Sequence, residues 1–85
     1  MYKIALVEDE IDLNNLIKTY LEKNDYEVVS YTKGIDAINN INDNINLWIL
    51  DIMLSDDISG YDIIKKIREI NPNVPVIFTS ARDKD

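Results

Sequence analysis

Three stretches of this chain place a carboxylate or a hydroxyl directly after an apolar run. Ile4-Ala5-Leu6-Val7 leads into Glu8-Asp9-Glu10, Leu47-Trp48-Ile49-Leu50 into Asp51, and Val76-Ile77-Phe78 into Thr79-Ser80-Ala81. Such a run reads as a buried parallel strand that delivers a polar residue to its carboxyl end. Open α/β sheets bind ligands there, at a topological switch point. Carboxylates gathered at one edge repel each other and resist ionisation unless a cation joins them. Mg²⁺ suits a hard oxygen set with few protein ligands, and it would neutralise an incoming phosphoryl group. An Asp51 oxygen could then attack phosphorus and form an acyl phosphate. The bland alternative for Asp51 is a carboxylate that caps the following loop. For Ser80 it is a hydroxyl bonded to nearby backbone. Thr79 competes with Ser80 for the phosphoryl group. Neighbours on a strand face opposite ways, so only one of the two can serve.

The segments that would position these groups alternate in kind. Tyr2 to Val7 reads as a first strand, almost continuously apolar, as expected when both faces are covered. Asp12 to Lys23 reads as a helix, with Leu13, Leu16, Ile17, Tyr20 and Leu21 forming its core stripe. Asn24-Asp25 breaks it. Tyr26 to Tyr31 is a weaker strand, followed by a short helix after Thr32-Lys33-Gly34 carrying Ile35, Ile38 and Ile41. Leu47 to Ile52 is the third strand. Ser55 to Gly60 is a loop in which Ser59 or Asp57 could cap the next helix. That helix runs from about Tyr61 to Ile70, with Ile63, Ile64, Ile67 and Ile70 inward, and Asn71-Pro72 stops it. Val74 to Ser80 is the fourth strand, with Pro75 near its start. Strands alternating with helices imply a parallel sheet with right-handed crossovers.

Composition narrows the function classes. The 85 residues make one small domain, 46% hydrophobic and 29% charged, which is the profile of a soluble globular protein. No apolar run approaches a membrane span, and the start does not read as a signal peptide. With no Cys and no His there is no disulfide, no thiolate metal site and no imidazole chemistry. The net charge of −7 argues against direct nucleic-acid binding, which depends on cationic side chains over phosphates. These absences point to a cytoplasmic protein.

Val7-Glu8-Asp9-Glu10, Leu50-Asp51-Ile52-Met53-Leu54 with Gly60, and Pro75-Val76-Ile77-Phe78-Thr79-Ser80-Ala81-Arg82-Asp83 together resemble the receiver domain of two-component response regulators. The resemblance covers the whole chain and implies an α/β, flavodoxin-like, doubly wound parallel sheet in the order 2-1-3-4, with the fifth strand missing. It makes residues 1–85 the N-terminal part of such a domain. It implies Asp51 as phosphoacceptor, and Asp9 as the main Mg²⁺ ligand with Glu8 as its acidic partner. The backbone carbonyl of Met53 would be a further ligand, and Ser80 the hydroxyl switch. A sensor histidine kinase would supply the phosphoryl group to this non-enzyme. An output domain outside the chain, of the DNA-binding kind, would receive the change.

The chain departs from the family pattern in three places. Ser55 stands where proline is usual, Gly60 lies one position further from the phosphoacceptor, and the strand that normally brings a lysine and an aromatic is absent. The unpaired edge of the fourth strand then becomes a surface for self-association.

Other readings fit less well. An aspartate-type phosphatase would want a second Asp where Met53 stands. A nucleotide-binding protein would want a Gly-rich loop, and the chain has only Gly34 and Gly60. A receiver-fold scaffold without phosphotransfer is the remaining alternative.

Overall fold

Each apolar run becomes a strand in the computed structural model, which describes residues 1–55 and 57–79. The elements are β1 (Lys3–Val7), α1 (Ile11–Lys23), β2 (Glu27–Tyr31), α2 (Gly34–Ile38), β3 (Leu47–Asp51), α3 (Gly60–Ile70) and β4 (Val76–Thr79). The four strands form one parallel sheet in the order β2-β1-β3-β4. This is the expected order, and it leaves the carboxyl ends of β1 and β3 side by side, with Val7 in register with Leu50. None of the described helices is long and apolar enough to cross a membrane.

Strand alternation divides the core in two. Ala5, Val7, Trp48 and Leu50 meet Ala37 of α2 and Ile63 and Ile67 of α3, with Ile45 and Val74 closing the cluster from the connections. Ile4 and Leu6 are buried too but lie outside that cluster, and α1 packs on their strand and on β2.

The helices differ from expectation in which face they bury. In α1 the fully buried residue is Asn14, while Leu13, Ile17 and Leu21 are half-buried. Leu16 and Tyr20 are about two-thirds exposed, at 67% and 66%. The sheet meets an arc centred near Ile17, and Leu16 and Tyr20 fall on its flank. Ile70 of α3 and Ile35 of α2 are likewise exposed, whereas Ile63 and Ile67 are fully buried. Helix α2 stops at Ile38, so Ile41 packs against the core from a loop rather than from a helical turn.

Local signals account for the boundaries. Glu10 caps α1 by accepting from the Leu13 N–H at 2.6 Å. Asp25, just past that helix, takes a positive φ of 70°, which Asp tolerates better than most residues. Ser59, not Asp57, caps α3, in a reciprocal capping box with Asp62. β4 begins at Val76 rather than Val74. Pro75 has no N–H to give the ladder, but its carbonyl still accepts from Trp48 at 3.1 Å.

Candidate functional site

The ends of β1 and β3 bring Glu8, Asp9 and Asp51 together, with a carboxylate oxygen from each within 4.8 Å of the others. Glu8 and Asp51 are buried, at 2% and 0% exposure, and Asp9 is half-buried. One oxygen of each acid takes a backbone N–H. Glu8 Oε2 accepts from Glu10 at 3.0 Å, Asp51 Oδ1 from Met53 at 2.9 Å, and Asp9 Oδ2 from Ser55 at 2.8 Å. The last bond ties the β3–α3 loop to the end of β1. A proline at position 55 has no N–H and could not make it.

Two oxygens remain. Among the described residues, Glu8 Oε1 and Asp51 Oδ2 are buried without a hydrogen-bond partner. Native proteins rarely leave such atoms unsatisfied, and buried carboxylates clustered this closely call for a cation. Oxygen-only donors on three acids, with room for water on the exposed side of Asp9, fit Mg²⁺.

Burial pushes the Glu8 carboxyl above its ordinary value of 4.5. The Glu10 N–H opposes the shift, and the charges of Asp51 and Asp9 add to it. The folded protein therefore holds this proton more tightly than the unfolded chain does. Metal-free stability should fall as pH rises from the unfolded value through the raised folded one. Glu8→Gln should remove that fall and melt higher than the wild type at neutral pH without metal. Melting temperatures across the acid range, with a chelator present, check this.

Gly60 fixes the distance between α3 and the site. A Cβ there would meet the Asp51 carbonyl oxygen at 2.7 Å and Ile52 Cα at 3.1 Å, and backbone atoms cannot swing aside. The extra residue in the loop therefore leaves Gly60 packed against the end of β3, where it donates to the Ile52 carbonyl at 3.4 Å. Gly60→Ala should cost roughly 1–3 kcal/mol, the usual range for overpacking. Urea denaturation followed by circular dichroism measures it.

The other sequence candidates fall as follows. Met53 offers its N–H to Asp51, and its side chain is half-exposed. Thr79 is in register with Asp51, and its hydroxyl donates to the Leu50 carbonyl at 3.4 Å. Ser80 lies outside the described residues. Sequence reasoning missed Glu10 as a cap and Asn14 as a buried amide beside Glu8. It also missed the Ser55 N–H on Asp9.

A parallel sheet in this order, with a buried acidic cluster at its carboxyl ends, defines a flavodoxin-like α/β protein. The response regulator receiver domain family matches residues 4–85, and the chain belongs to that family. It is 52% identical to the transcriptional regulatory protein CssR of Bacillus subtilis over 99% of this chain and 37% of that protein. It is also similar to the non-phosphorylated HemR receiver domain of Leptospira biflexa, at 29% identity and a TM-score of 0.90, covering 100% of this chain and 68% of that one. The response regulator TrrA of Thermotoga maritima, solved in complex with Mg²⁺ and BeF, aligns with a TM-score of 0.86 at 30% identity. That match covers 98% of this chain and 72% of TrrA. The chain thus spans little more than a third of the length of the curated relative.

Proposed function

We propose that residues 1–85 are the N-terminal part of a receiver domain that accepts a phosphoryl group on Asp51. The donor is a sensor histidine kinase in the cytoplasm, and the readout is a DNA-binding output domain. The observation that carries this reading is the pair of buried, unpartnered oxygens, Glu8 Oε1 and Asp51 Oδ2, beside Asp9. CssR, similar over almost all of this chain, is a transcriptional regulator by name. That likeness supports the output assignment.

Glu8, Asp9, Asp51 and the Met53 carbonyl would hold Mg²⁺. When bound, the ion neutralises charge on the phosphoryl group and between the carboxylates. The chain's own part is orientation and attack. The Met53 N–H fixes the Asp51 carboxylate in one rotamer, and the Ser55 N–H fixes Asp9. An Asp51 oxygen forms the new bond to phosphorus as the bond from phosphorus to the kinase imidazole breaks, leaving its electron pair on nitrogen. Ser80 would donate its hydroxyl to a phosphoryl oxygen.

A Mg²⁺ titration followed by backbone amide NMR tests the reading. Saturable shifts at Glu8, Asp9 and Met53, lost or weakened at least about tenfold in Asp9→Asn, are expected, since the first ligand shell carries most of the affinity. A folded protein that takes no Mg²⁺ would leave the scaffold reading in its place.

A second reading concerns association. β4 is an outer strand among the described residues, carries no charged side chain, and leaves Ile77 at 50% exposure. Uncharged outer strands invite pairing with another chain. The 85-residue chain should therefore self-associate through β4, and a monomeric mass in light scattering at high concentration would overturn this.

A further inference from the structure

We propose that Asn14 is a positioning residue for the acidic site, holding the peptide that joins the two metal-binding acids Glu8 and Asp9; this rests on the receiver reading above. Asn14 is 2% exposed, the one fully buried residue of α1, and it is polar. Its Nδ2 donates to the Glu8 carbonyl at 2.9 Å and to the Tyr31 carbonyl at 3.1 Å. The Glu8 carbonyl belongs to the peptide plane between Glu8 and Asp9. The Glu8 N–H, on the other side of that residue, donates to the same Tyr31 carbonyl at 3.1 Å. Both backbone faces of Glu8 are thus pinned to the end of β2, one directly and one through the Asn14 amide.

The sheet ladder alone cannot do this. β1 and β2 stop pairing at Val7 and Tyr31, so beyond them Glu8 has no strand partner for its carbonyl. Asn14 supplies the missing donor from one turn inside α1. The connection closes on itself: Glu10 donates its N–H to Glu8 Oε2, accepts from Leu13 on its side chain, and gives its carbonyl to the Asn14 N–H at 2.9 Å. The first turn of α1 and Glu8, through its carboxylate and its carbonyl, therefore form one hydrogen-bonded unit, and that carbonyl belongs to the peptide that carries Asp9. Rotation of the Glu8–Asp9 peptide would swing the Asp9 side chain away from Asp51. The Asn14 amide opposes that rotation with two hydrogen bonds in a buried setting.

Asn14→Leu fills the space and removes both donors. With fold and helix content intact by circular dichroism, it should bind Mg²⁺ about tenfold more weakly, the lower end of what outer-shell substitutions cost. Labelling by acetyl phosphate should drop at low Mg²⁺ and return at saturating Mg²⁺. In the metal-free protein, hydrogen exchange at the Glu10 amide should rise while exchange at Leu50 and Ile63 stays as in the wild type. A merely structural role would speed all three alike. Asn14→Ser, which keeps one donor, should fall between wild type and Asn14→Leu. It also decides the case if Asn14→Leu does not fold.

Equal Mg²⁺ affinity in wild type and both folded variants would overturn the proposal. If the wild type itself takes no Mg²⁺, the receiver reading fails. The positioning claim is then settled by Glu10 exchange alone, and unchanged exchange there would end it.

Discussion

Asp51→Asn should take no phosphoryl group from acetyl phosphate and, without metal, should melt higher than the wild type. The two effects share one cause. Asp51 is fully buried, and its Oδ2 has no hydrogen-bond partner in a cluster with two other acids. The Asn amide oxygen can still accept from Met53, so the local backbone bond survives while a buried charge disappears. Relieving an unsatisfied buried group of this kind is worth about 1–3 kcal/mol. In a domain of this size each kcal/mol moves the midpoint by roughly 4–8 °C. The amide is neither a nucleophile of comparable strength nor a metal-binding anion, so the chemistry goes with the charge. Intact mass and a thermal melt in chelator read both effects from one preparation. A phosphoryl adduct persisting in Asp51→Asn would put the acceptor elsewhere. A lower melting temperature would mean the cluster stores no repulsion.

Trp48→Ala should unfold the chain or leave it barely folded. Trp48, the second residue of β3, is 1% exposed and belongs to the cluster that joins the sheet to α2 and α3. Truncating a buried Trp costs about 3–5 kcal/mol, as lost transfer energy plus an unfilled cavity. At roughly 0.05–0.15 kcal/mol per residue, 85 residues hold about 4–13 kcal/mol in all. The loss is therefore a large share of the total. Ile77→Ala, at a half-exposed position, should cost under about 1 kcal/mol. Urea denaturation followed by circular dichroism compares them. A Trp48→Ala midpoint close to that of Ile77→Ala would contradict the core assigned to β3.

The apolar runs were sufficient to locate all four strands, because a parallel strand covered on both faces leaves a nearly unbroken hydrophobic signature. The same logic put Glu8, Asp9 and Asp51 at strand ends, and the structure brings them together. The helices were less legible. A period of 3.6 marks an apolar stripe but not how much of it the sheet reaches. Leu16 and Tyr20 fit the stripe and lie on its exposed flank, and Ile41 continued a spacing that the backbone abandons after Ile38. Ile45 joins the core from a connection, where no periodicity exists to announce it.

Asn14 was invisible for a different reason. Its burial is repaid by two carbonyls, one of them 17 residues away, and a hydrophobicity pattern cannot see a hydrogen bond. Its only signal is a polar residue between Leu13 and Ile17, on the face that the apolar neighbours mark as inward. The Ser55 bond to Asp9 spans 46 residues and runs from a backbone N–H, which every residue but proline possesses. The sequence signal there was the departure from proline itself.

We propose Asp51 as a phosphoacceptor in a Mg²⁺-dependent site. Its most direct test is the intact mass of the 85-residue chain after incubation with Mg²⁺ and acetyl phosphate, with peptide mapping of any adduct. One phosphoryl group should appear on Asp51 and be absent when a chelator replaces Mg²⁺. No adduct on a sample shown to be folded, or an adduct on another residue, would contradict it.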